Sequence, residues 1–319
     1  GKWLMCHFIF FFISSHPLSK EVFFMSQITH AVMPVAGFGT RMLPLSKSIP
    51  KEMLPLGDKP AIHYVVQEAI DAGIKHIVLV THPQKQAIEN YFDMNSELDS
   101  QLRHKGKDAL ADGLNWLPKD VQISAIRQGE PLGLGHAVLQ ARSIIGDRPF
   151  AVLLPDVLLD PFVTDMTKDN LAYMLKVFDK TGQSQILVSQ VADDDVSKYG
   201  IAKLGENQPD LSTDGNGDGN SNMNVSFAVA GFVEKPALAD APSRLAVVGR
   251  YVFTNDIFDY LAKTQPSVGG EIQLTDAIDA LIQTQGVSVT TMVGKSFDAG
   301  DMPSYLQAFD YFSKHIFAR

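Results

Sequence analysis

The sequence predicts an α/β fold in which a mainly parallel sheet is covered by helices on both faces. Three strand-length runs, Ile28–Val35, His76–Val80 and Phe150–Leu154, are apolar almost throughout instead of alternating with polar residues. This pattern is typical of strands buried on both faces. Between such runs, Ala61–Ala72 repeats apolar residues at helical spacing, and strands that alternate with helices form parallel sheets. Ligands bind such sheets at the carboxyl ends of the strands, so the loops there are candidate sites.

The same patterns predict the remaining elements. Further strands are expected at Val121–Ile126, Gln185–Val191, Val225–Val233 and Val247–Phe253. Further helices are expected at Lys85–Phe92, Gly135–Ile145, Asn170–Asp179, Asp256–Lys263, Thr275–Gln283 and Ser304–Phe312. Residues 211–224 are rich in Gly, Asn, Asp and Ser. Because this composition cannot bury a core, we expect a mobile loop there without a chemical role.

Composition excludes several classes of protein. The chain has 319 residues, 45% of them hydrophobic, which is enough to bury a substantial core. Its formal net charge of −9 argues against general affinity for nucleic acid or an anionic membrane, so any phosphate site must be a local pocket. Cys6 is the single cysteine, which excludes an internal disulfide and a multi-cysteine zinc site. We therefore expect a cytoplasmic protein with neither nucleic-acid nor membrane partners.

The first 24 residues differ from the rest of the chain. Trp3–Ile13 is an almost unbroken apolar run that resembles a signal peptide. However, it is too short to span a bilayer, and no small-residue cleavage pattern follows it. We interpret residues 1–24 as an upstream or non-native leader, expected to be disordered, with Met25 as the natural start.

The loop after the first strand contains a Gly-x-Gly sequence at residues 37–39. It does not fit a dinucleotide-binding loop, because the third glycine is missing and prolines at 44, 50 and 55 oppose a helix at that point. It does not fit a P-loop either, since no Gly-Lys-Ser/Thr closes the motif. The two familiar glycine-loop classes are therefore excluded.

The charges that follow this loop suggest another use for its glycines. Gly37 and Gly39 allow backbone N–H groups to approach an anion, and Arg41, Lys47 and Lys51 add three cations. This combination suits a triphosphate. The alternative from these residues alone is a tight turn whose charges are solvated.

Six motifs together make a specific pattern: Gly37–Arg41, Pro50–Pro55, Gln128–Ala137, Leu154–Asp156, Glu234–Pro236 and Glu271–Asp276. On these residues the chain, from about Ile28 to Ile316, resembles the bacterial UTP–glucose-1-phosphate uridylyltransferases of the sugar-phosphate nucleotidyltransferase family. The resemblance implies a Rossmann-like three-layer α/β/α fold with a mixed, mainly parallel central sheet, of the nucleotide-diphospho-sugar transferase type. It also implies Mg2+-assisted transfer of a uridylyl group from UTP to glucose 1-phosphate.

The resemblance assigns roles to individual residues. Those implied in catalysis are Arg41, Lys51 and Lys235. Those implied in nucleotide binding are Ala36, Gly37, Gly39, Thr40, Gln128 and Gly133. Those implied in binding the sugar phosphate are Gly200, Glu234, Lys235, Gly249 and Glu271. The implied Mg2+ ligands are Asp156 and Asp298. Taken singly, Asp156 could cap a turn, Gln128 could be a surface amide, Glu234 and Lys235 could form a surface ion pair, and each sugar-pocket glycine could mark a bulge or turn.

Other features leave alternatives open. Met302 stands where the family often has a lysine, which puts a C-terminal cation in question, and His63, His76, His82 and His136 lack metal-ligand spacing. A catalytically silent UDP-glucose-binding regulatory relative or a thymidylyltransferase of the same wider family are the competing functions. The resemblance implies a homodimer or homotetramer. Residues 25–319 should form one domain, with a nucleotide-binding half at about 25–160 and a sugar-binding and assembly half at about 161–319.

Overall fold

The computed structural model describes residues 26–205, 223–267 and 269–317. The leader predicted at residues 1–24 lies outside this part of the chain, and so does the predicted loop at 211–224 up to residue 222. The described strands are β1 His30–Pro34, β2 Pro55–Leu56, β3 Lys59–Pro60, β4 His76–Thr81, β5 Gln122–Arg127, β6 Phe150–Leu153, β7 Val157–Leu159, β8 Ser184–Gln190, β9 Gly200–Leu204, β10 Ser226–Glu234, β11 Leu245–Phe253, β12 Val287–Thr291 and β13 Ser296–Asp298.

Helices separate most of these strands. The described α-helices are α1 Ala61–Asp71, α2 Gln86–Phe92, α3 Ser96–His104, α4 Asp108–Leu114, α5 Gly133–Gln140, α6 Arg142–Ile145, α7 Leu171–Thr181, α8 Ile257–Lys263, α9 Leu274–Gln285 and α10 Met302–Phe317. None of them is long and apolar enough to cross a membrane.

Nine strands form one sheet in the order β5-β4-β1-β6-β11-β8-β12-β10-β9. The four strands from β5 to β6 are parallel, as are β8 and β12, whereas β10 and β11 run against their neighbours. The sheet is therefore mixed and mainly parallel, as predicted. Strands from both predicted halves of the chain share it, because β11 lies between β6 and β8.

The core forms two layers of apolar side chains, one on each face of the sheet. One layer includes Val65 of α1 and Phe312 of α10. The other includes Val138 of α5, Phe258 of α8 and Leu281 of α9. Alternate side chains of a strand point to opposite faces, so strands such as β1 contribute to both layers. This arrangement confirms the predicted three-layer α/β/α fold.

Two local expectations are wrong, and several elements were not predicted, among them strands β9 and β12 of the main sheet. The predicted helix Gly135–Ile145 starts two residues earlier and divides at Ala141 into α5 and α6. Helices α3 and α4 were not predicted, because their exposed sequence lacks a sustained apolar stripe. Asn224, expected in the mobile loop, is buried, and its side-chain amide donates to the Thr291 carbonyl at 2.6 Å.

Candidate functional site

A cavity of about 980 Å3 opens at the carboxyl ends of β6, β8 and β12. This is the edge of the sheet at which a ligand site was predicted. Seven of the predicted site residues line the cavity: Arg41, Asp156, Gly200, Glu234, Lys235, Gly249 and Asp298. These residues come from distant parts of the sequence, and the sheet brings them together.

Two carboxylates meet in this cavity because a short pair of strands carries them. In the antiparallel pair β7 and β13, Asp298 is opposite Val157, and the backbone N–H of Ala299 donates to the Asp156 carbonyl at 2.7 Å. Burial raises the pKa of Asp298, and the negative charge of Asp156 raises it further. Two carboxylates that repel each other in a polar cavity are chemically suited to a hard divalent cation.

Lys51 is the cation closest to this pair. Its Nζ donates to Oδ2 of Asp156 at 2.5 Å, and its side chain is only 13% exposed. Burial by itself lowers the pKa of Lys51, but the attraction of Asp156 outweighs burial and the pKa is raised. For Asp156, burial acts to raise the pKa, and the charge of Lys51 and its hydrogen bond lower it overall. Both groups are therefore charged at neutral pH.

Arg41 reaches the same carboxylates from the first loop. A Cβ built on Gly300 would lie 2.6 Å from Nη2 of Arg41 and 2.8 Å from Oδ1 of Asp298. A side chain at residue 300 would therefore displace one of these groups. The absence of a Cβ at Gly300 lets the guanidinium and the carboxylate converge at this point.

The loop that carries Arg41 and Lys51 contains no α-helix. Instead it forms three short 3-10 turns, at Thr40–Met42, Leu45–Lys47 and Lys51–Met53. Gly39 has a φ of 63°, a conformation that favours glycine. Ala36 is buried, whereas Gly37 and Thr40 are exposed. The absence of an α-helix from this loop agrees with the prediction made from the prolines at 44, 50 and 55.

A buried ion pair anchors this loop beside Lys51. Glu52 is 2% exposed and accepts from Nζ of Lys85 at 2.8 Å. Lys85 ends the short 3-10 turn that follows β4. Because a charge buried at this depth needs its partner, the pair fixes the end of the loop to the sheet.

Gln128 and Gly133 form a second unit outside the lining of the cavity. The Gln128 side chain is buried, donates from Nε2 to the Gly133 carbonyl at 3.1 Å, and lies 3.1 Å from Nδ1 of His136. Gln128 is therefore not the surface amide of the alternative interpretation. His136 orients the amide.

The predicted sugar ligand Glu271 lies against this second unit. A Cβ on Gly133, where φ is 93°, would come within 2.8 Å of Cβ of Glu271. The backbone N–H of Gly135 donates to the Ile272 carbonyl at 2.9 Å. The structure does not bring Glu271 into the lining of the cavity, where Gln273, Leu274 and Thr275 of the same motif lie instead.

Glu234 and Lys235 form one wall of the cavity, at the end of β10. Glu234 pairs with Gly200 across the sheet, and a Cβ on Gly200 would lie 3.2 Å from its Oε2. Lys235 has a φ of 46°, and its N–H donates to the Tyr199 carbonyl at 3.1 Å. A non-glycine residue in this conformation is strained, and such strain is concentrated at functional sites. Nζ of Lys235 lies 3.3 Å from Oε1 of Glu234.

Gly249 lies where β11 departs from regular pairing. Its φ is 73°, and the register of β11 against β8 shifts between Val247 and Tyr251. A Cβ on Gly249 would lie 3.0 Å from Leu154, whose N–H donates to the Gly249 carbonyl at 2.9 Å. The irregularity considered as the alternative for Gly249 is present, and the residue also lies in the cavity wall.

Several polar residues in the lining were not predicted from the sequence, among them Lys198, Tyr199 and Lys295. Lys198 and Tyr199 directly precede Gly200, so the signal was present beside a motif already considered. Lys295 follows β12 and has no such marker. Lys295 therefore supplies a positive charge from the C-terminal part of the chain. Met302, which stands where the family often has a lysine, cannot supply one.

The fold and the site define a nucleotidyl transferase. Residues 30–315 match the family model described as "Nucleotidyl transferase", and the chain belongs to that family.

Similar proteins narrow this class. The chain is 51% identical over 287 residues to a UTP–glucose-1-phosphate uridylyltransferase from Haemophilus influenzae, covering 89% of this chain and 93% of that protein. It is 50% identical to the enzyme of that name from Escherichia coli K12, covering 91% and 92%. Among solved structures, a UTP-bound UGPase from Acinetobacter baumannii is 43% identical with a TM-score of 0.80, covering 90% of this chain and 94% of that one. The resemblance inferred from the motifs is confirmed.

Proposed function

We propose that the protein transfers a uridylyl group from UTP to glucose 1-phosphate, forming UDP-glucose and pyrophosphate. The observation that carries this proposal is the convergence of Arg41, Lys235 and the carboxylates Asp156 and Asp298 at one cavity, with Lys51 bonded to Asp156. The names of the relatives support the choice of both substrates. The same cations would suit other nucleotide–sugar pairs, so the relatives support the choice of substrates and the geometry supports the reaction class.

In the proposed reaction, a phosphate oxygen of glucose 1-phosphate forms a bond to the α-phosphorus of UTP. The bond from that phosphorus to the bridging oxygen of the β-phosphate breaks, and pyrophosphate leaves with the electron pair. Because the nucleophile is already ionised, no general base is required. Catalysis then depends on positioning two anions and on neutralising their charge.

Different residues of the chain neutralise the charges of the two substrates. Arg41 and Lys51 neutralise the triphosphate, and Gly37 and Gly39 let backbone N–H groups approach it. Lys235 binds the phosphate of the sugar, opposing the repulsion between the two substrates.

On the recognition side, Glu234 accepts hydrogen bonds from the sugar hydroxyls, and Gly200 and Gly249 leave room for the ring. Gln128 and Gly133 bind the uracil edge. These assignments come from the family resemblance, and the lining of the cavity by Gly200, Glu234 and Gly249 supports three of them.

Enzymes of this kind generally use a divalent metal, and we propose Mg2+ held by Asp156 and Asp298. The donor set fits, because both ligands are hard carboxylate oxygens that repel each other in one cavity. Within residues 26–205, 223–267 and 269–317, three or more His, Cys, Asp or Glu residues do not cluster into a metal site. This agrees with an ion that takes its other ligands from substrate phosphates and water. When bound, Mg2+ supplies positive charge at the reacting phosphates.

Two alternatives are less well supported. A silent UDP-glucose-binding relative has no need for the charged pair of Lys51 and Asp156, which this chain retains. A thymidylyltransferase of the same wider family would use the same cavity, and the relatives at 50% identity argue against it.

The proposal is tested by measuring pyrophosphate release from purified protein with glucose 1-phosphate and Mg2+. UTP, dTTP, ATP and GTP are supplied in turn, with a chelator as control. Release selective for UTP and abolished by the chelator is expected. Equal release with dTTP would favour the thymidylyltransferase, and no release from folded protein would favour the silent relative.

We also propose a homodimer or homotetramer. Leu306, Phe309 and Phe317 of α10 expose large apolar side chains, which supports a subunit contact on that helix. Light scattering of purified protein tests this, and a monomer at working concentration would refute it. The division into two functional halves and the cytoplasmic location stay predictions, the latter testable by cell fractionation.

A further inference from the structure

Arg250 is a fully buried arginine whose hydrogen-bonding capacity is completely used. It lies in β11 with 0% of its surface exposed. Nε and Nη2 donate to the two carboxylate oxygens of Glu68 in α1, each at 2.8 Å. The pair is therefore bidentate, the geometry for which a guanidinium is suited and an ammonium is not.

The three remaining N–H groups of Arg250 donate hydrogen bonds to backbone carbonyl groups. Nη1 donates to the carbonyls of Leu154 at 3.1 Å and Gly249 at 3.2 Å, and Nη2 donates to the carbonyl of Val157 at 2.7 Å. Leu154 and Val157 bracket the short turn that contains Asp156. One guanidinium thus binds the carbonyl groups at both ends of the turn that bears a proposed metal ligand.

We propose that Arg250, held by Glu68, is a positioning residue that sets the place of the Asp156 carboxylate for its divalent cation. This inference rests on the proposed function of Asp156. Arg250 touches neither substrate nor metal in this role. It acts by fixing the backbone of the turn, while its own charge is balanced by Glu68.

A purely structural role would predict different consequences. A buried ion pair is weak evidence for stability, because apolar residues of similar volume often replace it at no cost. The pair does, however, cross-link α1, the end of β6 and β11 around Asp156. If the Arg250–Glu68 pair serves to position Asp156, removing the pair should impair the metal site even when the fold is preserved.

The test uses the double variant Arg250→Met/Glu68→Leu, which removes the pair without leaving an unpaired buried charge. We expect the variant to fold with a lowered melting temperature, because the carbonyls of Leu154, Gly249 and Val157 each lose a donor. We expect the Kd for Mn2+, measured by electron paramagnetic resonance of free Mn2+ without nucleotide, to rise at least about fivefold. We expect kcat to fall at least about tenfold and KM for UTP to change less than about twofold.

Arg250→Lys provides a second variant. It keeps a positive charge near Glu68 but cannot donate in the directions of a guanidinium, so it should show the same split between kcat and KM. Phe258→Leu, in the core layer on the opposite face, is the control for a loss of stability alone, and Mn2+ affinity should not change in it.

The outcomes separate this proposal from the proposed function. Parental Mn2+ affinity and kcat in the folded double variant would overturn the positioning role. If Asp156→Asn leaves Mn2+ binding unchanged, the metal role of Asp156 fails and the role of Arg250 fails with it. If Asp156→Asn weakens Mn2+ binding and the double variant does not, Arg250 alone is wrongly assigned.

Discussion

Nζ of Lys51 donates to Oδ2 of Asp156 across 105 residues of sequence, at 2.5 Å. The two groups proposed to hold the triphosphate and the metal are therefore bound to each other. Lys51 and a cation at Asp156 would share the charge of one carboxylate, so each should weaken the hold of the other. Phosphates of UTP that attract the ammonium would lessen this competition, so metal and nucleotide binding should favour each other.

Lys51→Met should separate metal binding from turnover. Without its counter-charge, Asp156 should bind Mn2+ about fivefold more tightly in the absence of nucleotide, as expected for loss of a competing ion pair of about 1 kcal/mol. Turnover should nevertheless fall by about 100-fold or more, because charge on the departing pyrophosphate is no longer neutralised. Mn2+ titration and steady-state kinetics measure both effects. The exposed Lys119→Met is the control, and weaker Mn2+ binding in Lys51→Met would contradict the competition.

Asp298→Asn should lower turnover without lowering stability. Burial and the charge of Asp156 both raise the pKa of Asp298, so the folded protein holds this carboxylate at a cost. A neutral amide keeps the oxygen that accepts from Gly300 N–H at 2.6 Å. We expect an unfolding temperature at pH 7 equal to or above that of the parent, and kcat reduced by about 100-fold. A kcat close to that of the parent would show that Asp298 is not a ligand of the metal.

Lys235→Ala should impair the reaction of the sugar phosphate more than the binding of UTP. The ammonium is the cation assigned to the phosphate of glucose 1-phosphate, so its loss should lower kcat/KM for that substrate by about 1,000-fold. KM for UTP should change little. Alanine at 235 keeps a Cβ at the strained φ, so the backbone conformation is tested separately with Lys235→Gly. Lys203→Ala, exposed on β9, is the control, and an unchanged kcat/KM in Lys235→Ala would refute the assignment.

Gln128→Leu should reduce recognition of the base. The Gln128 amide is held by the Gly133 carbonyl and His136, so it should meet the uracil edge in one orientation. Loss of one hydrogen bond should raise KM for UTP by about tenfold, corresponding to roughly 1.4 kcal/mol. The preference for UTP over CTP should shrink in parallel. Competition assays with both nucleotides measure this, with Gln67→Ala on α1 as control. Unchanged discrimination would mean that Gln128 only supports the loop.

His63 should make stability depend on pH. It is buried beside Tyr91 and Trp116, and burial lowers its pKa from 6.5 to about 4. The unfolded chain therefore takes up this proton first as pH falls below 6.5. The free energy of unfolding should drop by about 2 kcal/mol between pH 6.5 and 5, at about 1.4 kcal/mol per pH unit. Below about pH 4, both states are protonated and the loss from this group is complete.

Urea unfolding at pH 7 and 5 checks the role of His63. His63→Phe should show a shallower pH dependence than the parent, whereas the exposed His104→Gln should keep the parental slope. An unaltered slope in His63→Phe would show that other groups control the dependence.

The regular pattern of the sequence predicted the framework of the fold, because strands buried on both faces have a distinctive composition. It also placed Asp156, since a carboxylate directly after such a strand lies at the ligand edge of the sheet. The interior position of Arg250 was not predictable, because an arginine in an apolar strand gives no sign of which acceptors surround it. Lys295 was missed for a similar reason, as a lysine after a strand resembles any surface lysine.

The position of Glu271 outside the cavity lining has a different origin. Its motif was correctly identified, but whether it faces the sugar or the base depends on how two loops pack. Gly133 and Gly135 pack closely against Cβ of Glu271 and the backbone of Ile272, and a single sequence does not show that contact. Loop packing, rather than residue type, limited the prediction of the site.

The backbone hydrogen bonds between the Gly133 loop and Ile272 join two segments that leave the ribosome at different times. Ile272 donates to the Leu132 carbonyl at 2.7 Å, and Gly135 donates back to the Ile272 carbonyl. A ribosome therefore completes the loop at Gly133 well before the segment that contacts it has been synthesised. A fragment of the chain that ends before Ile272 would lack both of these hydrogen bonds.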